Sequence, residues 1–62
     1  MKVTLRAARI NSGFTIDEAA SRIGVSKWTL MNYEHGKSYP DIPILKNIES
    51  VYGVAYSDII FP

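Results

Sequence analysis

The chain contains no cysteine, and only one histidine and one tryptophan among its 62 residues. Without thiols it has no disulfide and no thiolate metal site, and a single histidine excludes a His-rich site. No metal or other cofactor is expected. Long apolar runs are missing as well: no stretch approaches the roughly 18 residues of a membrane span, and Met1 is not followed by an apolar run of signal-peptide length. The chain is therefore expected to be soluble and cytoplasmic. Alternating apolar and polar residues never extend far enough to mark a strand. There is no internal repeat, low-complexity stretch or linker, so residues 1–62 are expected to form one domain. A chain this short buries only about 60% of its unfolded surface and is marginally stable.

Charge of either sign is scarce. Seven Lys and Arg oppose six Asp and Glu, for a net charge of +1. The distribution is more telling: Lys2, Arg6 and Arg9 precede Phe14 with no acid among them, and the remainder is mildly acidic. A polyanionic partner would have to be attracted by local placement rather than by the total. No carboxylate pair is accompanied by a His or Ser in an arrangement suited to acid–base or nucleophilic chemistry. Asp17-Glu18 reads as a pair favoured by a helix dipole, and the chain is expected not to be an enzyme.

What is present is a series of caps and stops. They divide the chain into five short helical segments and predict an all-α, compact bundle. The first runs from about Val3 to Asn11, carries Leu5, Ala8 and Ile10, and stops at Ser12-Gly13. Thr15 and Glu18 form a capping box for a helix whose Ile16, Ala19, Ala20 and Ile23 share one arc. The adjacent alanines admit a close neighbour, and Gly24 ends the helix. Ser26 caps the third. Asp41 caps the fourth, with Pro43 tolerated in its first turn, and Ile44, Leu45, Ile48, Val51 and Tyr52 give it an apolar face before Gly53. The last, Ala55 to about Ile60, is short and apolar. Phe14, Tyr33 and Tyr52 are expected in the core.

The third segment contains the only tryptophan. At about 100° per residue, Lys27, Trp28, Met31, Asn32 and His35 share one arc, while Leu30, Tyr33 and Glu34 point the other way. Trp28 therefore lies on the polar arc and is expected to face outward. The alternative is that it covers a groove on its own protein.

Two helices joined by a short glycine turn, the second begun by a serine, make a helix-turn-helix pattern. The stretch "FTIDEAASRIGVSKWTLMNYEHGKSYPDIPILKNIESVYGV" resembles the Cro/repressor (xenobiotic-response-element) family, with the lambda-repressor-like DNA-binding fold. The likeness extends over roughly Val3 to Phe61 and lies in the ordered set rather than in one short motif.

The resemblance implies a sequence-specific transcriptional regulator, a phage- or mobile-element-type repressor or Cro-like protein acting on double-stranded DNA, with two copies on a two-fold symmetric operator. It places Lys27, Trp28, Met31 and Asn32 at base edges. Thr15, Ile16, Ser26, Lys37, Ser38 and Tyr39 are placed near phosphates. Arg9 and Glu34 match a structural ion pair, and Tyr56, Ile60 and Phe61 are candidate dimer contacts. Two positions depart from the family pattern. Ile16 stands where a phosphate-binding Gln is common, leaving backbone amides at that helix start. Ala55 replaces the usual Ser, so the last helix lacks its cap. The alternative function is a protein-interaction module, antitoxin-like or an anti-regulator, using the same face; aromatics and Met are enriched at such interfaces.

Overall fold

In the computed structural model, which describes residues 1–62, every α-helix is opened in the same way. Four helices are present: α1 (Leu5–Asn11), α2 (Ile16–Ile23), α3 (Lys27–Glu34) and α4 (Ile42–Tyr52). Each is preceded by a residue in extended conformation whose side-chain oxygen accepts the amide proton three residues on. Thr4 accepts from Ala7, Thr15 from Glu18, Ser26 from Thr29 and Asp41 from Ile44, at 3.0–3.2 Å. Each such cap contributes about 1 kcal/mol, and helices of 7–11 residues do not persist without caps and packing.

The packing comes from one cluster. Leu5 and Ala8 of α1, Ala19, Ala20 and Ile23 of α2, Leu30 and Tyr33 of α3, Ile48 and Tyr52 of α4, and Ile59 are all buried. Leu5, Ile23, Leu30 and Ile48 are the largest side chains that are fully enclosed. The small α2 alanines let α3 and α4 come close, and α2 makes its principal helix contacts with both. Phe14 and Ile16 are half-buried against the same cluster.

The fold departs from the expected five-helix bundle at both ends. There is no fifth α-helix. The segment after Gly53 makes a single 3-10 turn, Tyr56–Asp58, and then extends as Ile59–Ile60. This strand (β2) runs parallel to Val3–Thr4 (β1), with Val3 beside Ile59 and Thr4 beside Ile60. Three reasons account for it. Ala55 supplies no side-chain cap. The segment is too short to repay helix nucleation. The β-branched pair Ile59-Ile60 favours extended backbone. The amide left uncapped at Tyr56 donates instead to the Glu49 carboxylate of α4 at 2.7 Å. The first helix likewise begins at Leu5 rather than Val3, because Thr4 is its cap. Ile10, expected among the apolar residues of α1, is 51% exposed.

Candidate nucleic-acid interface

The geometry of α3 is set by its approach from α2. Gly24 adopts φ +94, a left-handed conformation that residues with a Cβ rarely take. Its amide and that of Val25 both return to the Ala20 carbonyl, which turns the chain sharply before Ser26. From α4, Asn47 Nδ2 donates to the Ile23 carbonyl at 3.0 Å, securing the C-terminal end of α2. The Ser26 hydroxyl accepts from the Thr29 amide and donates to Thr29 Oγ1 at 3.0 Å. With its single proton so used, Ser26 is committed to the cap.

The inner face of α3 is tied down. Leu30 is fully buried and Tyr33 nearly so. Glu34 receives Arg9 of α1 in a two-point contact, Nε to Oε2 at 2.8 Å and Nη2 to Oε1 at 3.3 Å. Arg9 Nη1 also donates to the Phe14 carbonyl at 3.2 Å. The two side chains are only 13% and 5% exposed. This contact holds the Arg9 guanidinium proton more firmly than usual, the Glu34 hydrogen bond outweighing the opposing effect of burial. Beside them the Tyr52 hydroxyl is buried with no hydrogen-bond partner. Burial, reinforced by the charge of Glu34, pushes its pKa up to about 12.

The outer face is different. Lys27, Asn32 and His35 are exposed and Met31 is half-buried. Trp28 is 65% exposed, so it covers no groove of its own protein. The Lys27 ammonium lies 5.2 Å from the centre of the Trp28 ring, within the range of a cation–π contact. Together these two residues present one cation and one flat apolar surface at the start of the helix.

The residues expected near phosphates are spread over three places. Thr15 is exposed at the start of α2, and its capping box is complete: its hydroxyl accepts from the Glu18 amide, and its amide donates to Glu18 Oε1 at 2.9 Å. The Thr15 amide, and after it the Thr15 hydroxyl, hold the Glu18 carboxyl below its usual range. The Ile16 side chain packs inward, so only its backbone amide is left for an anion. In the α3–α4 loop Lys37 is exposed and Ser38 half-buried. Tyr39 is 63% exposed, yet its hydroxyl donates to the Pro62 main-chain oxygen at 2.7 Å.

Of the three candidate dimer residues, Tyr56 and Ile60 are exposed. Phe61 is not available with them: it packs against the core and sets its ring edge-on to Tyr39, 6.2 Å between centres. Sequence reasoning missed a shallow cleft of about 350 Å³ beside Tyr56, lined by Ile42, Leu45, Lys46 and Glu49. Ile42 is 68% exposed there. An apolar residue at the very start of a helix was the one signal for it. Asn47 was missed too, because nothing local distinguishes a helix-junction amide from a solvated one.

The helix-turn-helix family's sequence pattern matches residues 5–59. The chain belongs to this Cro/C1-type helix-turn-helix family, whose members are DNA-binding transcription regulators and not enzymes. No curated protein and no solved structure matches the chain. No helix is long and apolar enough to cross a membrane.

Proposed function

We propose that residues 1–62 form one DNA-binding domain of a phage- or mobile-element-type repressor or Cro-like regulator, working in the cytoplasm and reading the major groove with the outer face of α3. The observation that carries this reading is the division of α3: its inner side chains are consumed by the fold, while Lys27, Trp28 and Asn32 are held out from a rigidly seated helix. In that placement Lys27 donates to guanine O6 and N7, Asn32 pairs bidentately with adenine, and Trp28 and Met31 meet thymine methyl groups. Lys37 and Ser38, the Thr15 hydroxyl and the Ile16 amide lie where phosphates flank the groove. Selection of bound sites from a random duplex pool tests the reading. A defined motif supports it, and recovery of unenriched sequence overturns it.

A lone helix-turn-helix domain reads only a half-site, and two-fold symmetric pairs read two, one helical turn apart. We place the contact between copies at Tyr56, Ile60 and the neighbouring Ile42–Leu45 cleft. Sedimentation on a palindromic duplex checks this, with two chains per duplex expected and one chain contradicting it. The protein-interaction alternative draws on the exposure of Trp28 beside Met31 and on the low net charge. Salt separates the two readings, because phosphate contacts weaken steeply with added salt through counterion release.

A further inference from the structure

The α3–α4 loop is held from two sides. On the α3 side, the Gly36 amide returns to the Tyr33 carbonyl at 3.3 Å and the Lys37 amide to the Asn32 carbonyl at 2.9 Å. On the far side lies the segment that follows β2. Anchored at Ile59 by its pairing with Val3, it crosses to the loop, where Phe61 and Pro62 lie against it. Phe61 meets Tyr39 ring edge to face at 65°. The Tyr39 hydroxyl donates to the Pro62 oxygen. The Pro62 backbone passes so near Gly36 that a Cβ there would lie 2.9 Å from the same oxygen. Glycine at position 36 thus serves both its φ of +75 and this close passage.

A tyrosine hydroxyl has one proton. Spent on Pro62, it leaves only lone pairs facing outward, which repel a phosphate rather than bind it. We infer that Tyr39 is a positioning residue and not a phosphate ligand: with Phe61 it fastens the C-terminal segment to the loop and so fixes where Lys37 is presented to the DNA backbone. This rests on the proposed role of the loop. It changes what Tyr39 does there, and it brings in Phe61 and Pro62, which lie outside the helix-turn-helix itself.

Positioning and direct contact differ in their salt dependence. The slope of log affinity against log salt counts the cations placed on phosphates. A neutral hydroxyl bound directly to phosphate adds affinity but almost no slope. A hydroxyl that holds a lysine in place adds both. The experiment measures affinity over a range of salt on a selected duplex and on a scrambled one. The proteins are wild type, Tyr39→Phe, Lys37→Ala, the double variant and Phe61→Leu, each first shown to be folded by circular dichroism.

Tyr39→Phe is expected to weaken binding to both duplexes about three- to tenfold, the range of one hydrogen bond, and to lower the slope toward that of Lys37→Ala. The double variant should bind as Lys37→Ala does, within about twofold, since coupled sites are not additive. Phe61→Leu preserves an apolar side chain but removes the aromatic edge, and should change affinity and slope in the same direction. An unchanged slope for Tyr39→Phe, with losses that multiply in the double variant, makes Tyr39 a direct ligand and overturns the inference. So does wild-type binding by Tyr39→Phe, or a wild-type slope in folded Phe61→Leu. Failure of the loop reading itself looks different: Lys37→Ala then binds with wild-type affinity and slope.

Discussion

The two faces of α3 have opposite relations to the rest of the chain. Inward, Leu30 and Tyr33 are sealed in the core and Glu34 is gripped by a guanidinium from α1. Outward, Lys27 and Asn32 are exposed and a tryptophan stands 65% in solvent. Fully burying a large apolar side chain is worth roughly 2 kcal/mol or more, and here that gain is left unclaimed at Trp28 in a chain with little stability to spare. The contrast separates side chains that build the protein from side chains that the fold holds ready for a partner. It also explains why one short helix needs so many ties. A reading head must keep its angle while its outer face contributes little to its own stability.

The largest expected effect lies on the inner face. Glu34→Ala leaves the Arg9 guanidinium unpaired in a nearly closed site and should cost about 3 kcal/mol, a large share of the few kcal/mol available to so small a domain. Thermal or urea unfolding reads the loss. The double variant with Arg9→Ala should be no less stable than Glu34→Ala alone, and additive losses would contradict the pairing. Ser26→Ala removes the cap of α3 and should cost about 1 kcal/mol in the same measurement. Because that change loosens the helix start, it should also weaken binding to every sequence alike.

A smaller effect follows from pH. Thr15 holds the Glu18 carboxyl below its ordinary value of 4.5. A depressed folded-state pKa means that the box stabilises the protein above the unfolded value, and that this contribution fades as pH falls through the folded one. Unfolding midpoints should therefore drop below about pH 4.5, and Glu18→Gln should flatten part of that drop. Smallest of all is Tyr52→Phe. It removes a buried hydroxyl that has no partner, so stability should stay level or rise by up to about 1 kcal/mol. A clear loss would mean that the hydroxyl supports the neighbouring ion pair.

Which parts of this were legible in the sequence follows from the range of the interactions. Caps act over three residues, so Thr15, Ser26 and Asp41 announce their helices, and the 100° rotation per residue sorts Leu30 and Tyr33 inward. The Arg9–Glu34 contact spans 25 residues; the helical rotation put Glu34 on the inward arc, and likeness to a family supplied Arg9 as its partner. The strand pairing of Val3 with Ile59 gave no periodic signal, because two residues cannot display one. For the same reason a fifth helix was expected where the chain instead extends. Ile59 and Ile60 read equally well as a helix face until a partner strand is present to choose between them. The contact of Tyr39 with Pro62 joins two stretches whose proximity depends on that pairing, so it was hidden with it.

On this reading, the outer face of α3 distinguishes one DNA sequence from another. The most direct measurement is the affinity of Asn32→Ala, relative to wild type, on the duplex recovered by selection and on a scrambled duplex of the same length. Asn32 is exposed and forms no part of the core, so its truncation leaves folding intact. Loss of one bidentate base contact should weaken binding to the selected duplex by about 1–3 kcal/mol and relax the preference at one base position, with little change on the scrambled duplex. Equal losses on both duplexes would move sequence recognition away from this face.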